Sequence, residues 1–152
     1  MINAKINLTR FLYKYTPLIL LYVSILNEID FNNLGFKYFS FNFSYILIFY
    51  FSLRRSESLG YFYIFTAGLF NDVMIGIPMG TSSLNYLLIC AATSYLRNIT
   101  LRPNMIKDWI FFLITILFLN FISFIVLMLI FKYEVSYLDQ IINITFTFLL
   151  YL

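Results

Sequence analysis

The chain has 152 residues, 62% of them hydrophobic and 11% charged. A soluble domain averages about 45–50% apolar and about 25% charged residues, and a water-soluble fold of this composition would lack the polar side chains to cover its surface. One cysteine and no histidine exclude an internal disulfide, a His/Cys metal cluster and Ser–His or Cys–His nucleophile pairs, and the net charge of +3 does not call for nucleic acid, because basic residues of membrane proteins gather on the cytoplasmic side.

The hydrophobic pattern predicts an all-α fold, a polytopic membrane protein of about six transmembrane helices in a single domain over 1–152. The first span is expected over residues 11–29. Lys5 and Arg10 precede it, and the run ends in Asn27-Glu28-Ile29-Asp30 rather than at a small-residue cleavage site, so it reads as retained. A second, shorter span is expected over 39–53. The third runs over 59–75 and stops at a break containing Gly76, Pro78 and Gly80. The fourth covers 82–96, the fifth 109–131 and the sixth 138–152. A 15-residue helix reaches only about 22 Å against a hydrocarbon core of about 30 Å, so local thinning has to accommodate the shorter ones.

Charge orients this scheme. With both termini cytoplasmic, Lys5, Arg10, Lys14, Arg54, Arg55, Arg97, Arg102 and Lys107 lie inside, and only Lys37 and Lys132 lie outside. Glu28, Asp30, Glu134 and Asp139 also fall outside. The basic loop from Arg97 to Lys107 could face anionic lipid or a cytoplasmic protein, but its plainer reading is that it simply orients the chain.

Asp72 is the residue such a scheme must explain. A carboxylate within a span costs a few kcal/mol on insertion scales and ~10 in simulations, so it persists only where something pairs with it, hydrates it or keeps a proton on it. It lies one turn from the end of its helix, where the dipole also disfavours a negative charge. Pro78 lacks an N–H, Ile77 before it is biased away from helical angles, and Gly76 and Gly80 open backbone angles closed to other residues. The next helix is expected to restart at Thr81 or Ser82, both good N-cap residues. Asp72 then accepts hydrogen bonds from the free N–H groups of Gly80 to Ser83, because helix N-termini attract anions; a ligand, proton or partner site is the functional alternative. Other intramembrane polar positions are Asn85, the pair Asn120 and Ser123, and one face of the last helix carrying Ser136, Asp139, Gln140, Asn143 and Thr147. Such residues face the bundle and bond across helices. No carboxylate pair suited to acid–base work is evident, since Glu28 and Asp30 point apart, and Gly76-Ile77-Pro78-Met79-Gly80 is no phosphate loop.

The stretch 68–96, GLFNDVMIGIPMGTSSLNYLLICAATSYL, resembles the central signature of the rod-shape-determining protein MreD family. There a small-residue helix carries an Asp, a Gly follows a turn later, and a Pro- or polar-plus-Gly turn leads into an apolar helix. Asp72, Gly76, Pro78 and Gly80 stand at the matching positions. Members often have a Pro where the second span begins, and Phe41-Asn42-Phe43 stands there instead; many also have a Pro in the last helix and a basic tail, where this sequence reads Tyr151-Leu152. The resemblance implies a non-enzymatic, multi-pass subunit of the bacterial inner membrane, without cofactor. It would serve the cell-elongation complex that scaffolds peptidoglycan synthesis and cell shape. The implied partners are membrane lipids, an MreC-like protein, MreB filaments, RodA and a penicillin-binding transpeptidase. The family is also similar in fold to substrate-binding subunits of energy-coupling-factor transporters. The second expectation is a small-molecule (vitamin-like) binding subunit of a membrane transporter, with Asp72, Asn85 and Asn143 converging on an outward cavity. A membrane enzyme acting on a lipid-linked substrate through Asp72 is a third.

Overall fold

A computed structural model describes residues 15–26, 41–54, 59–100, 104–132 and 137–151. Within them the chain is all-helical. In order come α1 (Tyr15–Leu26), α2 (Phe43–Arg54), α3 (Tyr61–Ile75), α4 (Thr81–Ile99), α5 (Met105–Ile125, continued by a π-helical segment, Val126–Ile130) and α6 (Tyr137–Leu150). The ends of the expected first span lie outside the described residues, as do Lys5, Arg10, Lys14, Glu28, Asp30, Lys37, Arg55, Arg102, Glu134 and Ser136.

Helix α4 is the hub; it packs on α3, α2 and α5, and α6 closes the bundle against α5 and α2. The core holds Ile48 and Phe49 from α2, Ile64 and Ala67 from α3, Tyr86 and Ile89 from α4, and Phe112, Ile116 and Leu119 from α5. Aromatic rings knit the lower half. Trp109 stacks on Phe148 with centroids 4.4 Å apart, and Tyr151 meets Phe112 at 4.2 Å and Phe49 at 5.4 Å.

The outside of the bundle is apolar. Phe62, Phe70 and Val73 on α3 are exposed, and so are Ile110, Ile114, Phe118 and Phe121 on α5. Buried positions include Ser24, Ser44, Asn71, Asp72, Ser82, Ser83, Asn85, Thr93 and Thr147. Large apolar side chains thus cover the outside as well as the core, and the small polar ones are buried between the helices.

Among the described residues one helix, Met105–Ile130 with 26 residues, is long and apolar enough to cross a membrane. Helices α1, α2 and α3 and the Gln140–Leu150 part of α6 are apolar but shorter. Helix α4 has 19 residues, and Thr81, Ser82, Ser83, Asn85 and Thr93 dilute its apolar content. Several expected boundaries move; α2 begins at Phe43 and α3 at Tyr61, later than expected, while α4 and α5 extend into the basic segment between them. Arg97 belongs to the last turn of α4 and Lys107 to the first turn of α5, so both ends of the expected basic loop are helical. Asn104 makes the earlier start of α5 possible, since its side chain accepts from the N–H of Ile106 at 3.1 Å.

Candidate functional site: the Asp72 turn

The α3–α4 connection is built around a single residue. Helix α3 ends where Gly76 turns left-handed, with φ 77°, a conformation free of Cβ conflict only for glycine. The freed N–H groups of Gly76 and Ile77 both return to the carbonyl oxygen of Asp72, at 3.0 and 3.2 Å. Four residues on, Gly80 is again left-handed, at φ 100°, and α4 begins at Thr81.

The Asp72 side chain closes the other end. Its Oδ2 accepts from the N–H of Gly80 at 2.6 Å and its Oδ1 from the N–H of Ser82 at 2.8 Å. Asp72 thus terminates α3 with its carbonyl and starts α4 with its carboxylate. The carboxylate is wholly buried, at 0% exposure, against the positive end of α4 and its otherwise unsatisfied donors. The expected cap differs in one respect. Gly80, not Thr81 or Ser82, occupies the N-cap position and offers no side chain. The capping oxygens come from the preceding helix, and the Thr81 hydroxyl donates instead to the carbonyl of Pro78 at 2.9 Å.

Further ties hold α3 to α4. Asn71 donates from Nδ2 to the Ser82 hydroxyl at 3.0 Å, and its Oδ1 is buried without a hydrogen-bond partner among the described residues. The Ser83 hydroxyl donates to the carbonyl of Phe65 at 3.0 Å. Gly68 lies so close to α4 that a Cβ there would stand 2.4 Å from Ser83 Cα. The sequence reading missed this approach, which only the crossing of the two helices reveals.

The other candidate residues are dispersed. Asn85 is buried and donates from Nδ2 to the Tyr45 hydroxyl at 3.0 Å and to Ser123 Oγ at 2.7 Å, while the Ser123 hydroxyl lies 3.0 Å from its Oδ1. It therefore joins α2, α4 and α5. Of the two polar positions on α5, Ser123 bonds across to Asn85, while Asn120 donates from Nδ2 to the carbonyl of Ile116 in its own helix at 2.9 Å. Asn143 accepts from the Thr147 hydroxyl at its carbonyl oxygen, at 2.7 Å, and the N–H of Asn42 donates to that hydroxyl oxygen at 3.0 Å. The structure brings together Asp72, Gly76, Pro78 and Gly80, but Asn143 lies on a different helix in a separate set of contacts.

An open crevice of about 230 Å³ adjoins the turn between the start of α4 and the end of α5, and Asn85 and Ser123 line it. No group of three or more metal-ligating side chains occurs among the described residues. Comparison of the chain with protein-family models, curated proteins and solved structures gives no match.

Proposed function

We propose that the chain is a non-enzymatic, multi-pass subunit of the bacterial inner membrane, similar to the MreD family, that scaffolds the cell-elongation complex through an MreC-like partner. The observation that carries this reading is the Asp72 turn. Its carboxylate is spent on two backbone amides of the following helix and is sealed from the surroundings. A group so committed braces a shape rather than binding a diffusing substrate or moving protons. The shape it fixes is the hairpin that carries the resemblance.

The membrane part of the proposal rests on the apolar exterior and on the 26-residue helix Met105–Ile130. Six passes with both termini cytoplasmic place eight of the chain's ten basic residues inside. The described part of α2, Phe43–Arg54, reaches about 18 Å at ~1.5 Å per residue, a length that a locally thinned bilayer accommodates. The transporter reading needs Asp72, Asn85 and Asn143 to converge on one cavity, and of these only Asn85 lines the crevice.

The test is co-purification. Wild-type chain is expected to bring down the MreC-like protein from membranes, and Asp72→Ala to lose it together with rod shape. Undiminished recovery of that partner by Asp72→Ala, in cells that stay rods, would rule out the bracing role.

A further inference from the structure

We infer that the α3–α4 hairpin holds the leaflet on its turn side about 8 Å thinner than the bilayer around it. This rests on the membrane part of the reading above and not on its partner. The first support is a plane of exposed tyrosines. Tyr61 and Tyr63 open α3, Tyr95 stands near the end of α4 and Tyr50 near the end of α2, and all four side chains are exposed. Arg97 Nη1 donates to the carbonyl of Ser52 at 3.4 Å, and the Thr93 hydroxyl donates to Ser52 Oγ at 2.9 Å, so α2 and α4 end at one level. Arg54 and Arg97 follow the tyrosines on those helices. Tyrosine rings gather where lipid meets water, which sets this end of the hairpin at a membrane surface.

The second support is reach. Helix α3 has 15 residues from Tyr61 to Ile75, and the stretch from Thr81 to Tyr95 on α4 is equally long. At ~1.5 Å per residue each covers about 22 Å, against a hydrocarbon core of about 30 Å. Tilt only shortens that reach. Helix Met105–Ile130, with 26 residues, is about 39 Å long. The shortfall therefore belongs to the hairpin's side of the bundle and not to the bilayer as a whole.

The third support decides how the shortfall is met. The exposed side chains at the turn end, Phe70, Val73, Met74, Ile75 and Met79, carry no charge, hydroxyl or amide and suit acyl chains. The backbone beneath them does not. The N–H of Ile77 returns to Asp72, and Pro78 has none. The carbonyls of Val73 and Met74 thus lose their helical partners, and among the described residues no turn N–H replaces them. Irregular backbone exposed to lipid is not tolerated within the core, and an unpaired group there costs more than several Å of thickness mismatch. Water has to reach the turn, so the leaflet yields rather than the protein. The apolar side chains then meet the acyl chains that border the dip.

The experiment places the full chain in dioleoyl-phosphatidylcholine vesicles, with Met79→Cys at the turn, Phe62→Cys beside the tyrosines or Ile114→Cys at mid-span of α5. All three positions are on the surface of the bundle, and the buried Cys90 gives the background measured in the unsubstituted chain. A charged, membrane-impermeant maleimide is supplied on both faces. Met79→Cys and Phe62→Cys are expected to react at comparable rates, and Ile114→Cys about tenfold more slowly, because thiolate and charged reagent are both kept out of hydrocarbon. Water at both ends of a helix of about 22 Å is the thinning itself. A slow Met79→Cys beside a fast Phe62→Cys would place the turn inside the core. The reverse would mean a hairpin shifted through a leaflet of full thickness. Either result, or slow reaction at both ends, would overturn the inference while a slow Ile114→Cys upheld the membrane reading. Equal, fast reaction at all three would overturn that reading and the inference with it.

Discussion

Gly68→Ala probes the hairpin where it is tightest. The added Cβ would meet Ser83 Cα at 2.4 Å, Ser83 N at 2.6 Å and Ser83 Oγ at 2.7 Å, whereas ordinary contact begins near 3.4 Å. Two of those three atoms are backbone, so a rotamer change cannot relieve the clash. The helices must part by about 1 Å at the crossing to restore ordinary contact. Overpacking alone costs ~1–3 kcal/mol. The same separation, transmitted one turn along α3, would stretch the 2.6 and 2.8 Å bonds from Asp72 toward the limit of hydrogen bonding. Losing one bond to a charged acceptor adds ~1.5–3 kcal/mol. The expected destabilisation is therefore about 3–5 kcal/mol, a fall in unfolding temperature on the order of 10 °C for a chain of this size. Cys90 supplies the assay. It is the only cysteine and is buried at 1% exposure, so a thiol-reactive fluorophore in detergent reports its release on heating. Ser83→Gly should not rescue Gly68→Ala, because the conflict with Ser83 Cα and N remains. An alanine variant that unfolds within about 1 °C of wild type, against the order-of-10 °C expectation, would refute both the close approach and its coupling to Asp72.

The same assay reads the other predictions. Asp72→Asn keeps the shape but turns an amide donor toward one of two backbone N–H groups, and should cost about 2–4 kcal/mol, with Asp72→Ala costing more. Gly76→Ala meets no atom within 4 Å and is strained only by its φ of 77°; about 1–2 kcal/mol is expected, clearly less than Gly68→Ala. Asn85→Leu strips Tyr45 and Ser123 of a shared partner and should cost about 1–2 kcal/mol, the range of interhelical hydrogen bonds in membranes. Thr147→Val removes the acceptor of the Asn42 N–H without changing shape, for about 1 kcal/mol.

Much of the turn was legible because it is written in residues with few uses. Gly76, Pro78 and Gly80 stop one helix and permit the next, and an acid one turn earlier has nowhere to go except the amides exposed by that stop. Helix identity was legible from unbroken apolar runs. The tertiary contacts were not. Nothing in the local pattern distinguishes Gly68 from a glycine tolerated on an open face, because only the crossing of α3 over Ser83 gives it meaning. Asn120 and Ser123 sit three residues apart on one face and both suggested bonds across helices, yet the first donates within its own helix and the second reaches Asn85. The π-helical end of α5 has no signature in Val126-Leu127-Met128-Leu129-Ile130, since all five residues suit an ordinary helix.

Within a bilayer, apolar helices gain little by leaving lipid for one another, so close approach of backbones and polar ties must hold a bundle together. In this chain those devices are concentrated on α4. Asp72, Asn71, Ser83 and Gly68 bind it to α3, and Tyr45 and Ser52 bind it to α2. On the α5 side, among the described residues, the recorded polar tie is that between Asn85 and Ser123, with ring stacking joining α5 to α6 lower down. The crevice opens along the α4–α5 seam, beside the turn that Asp72 braces.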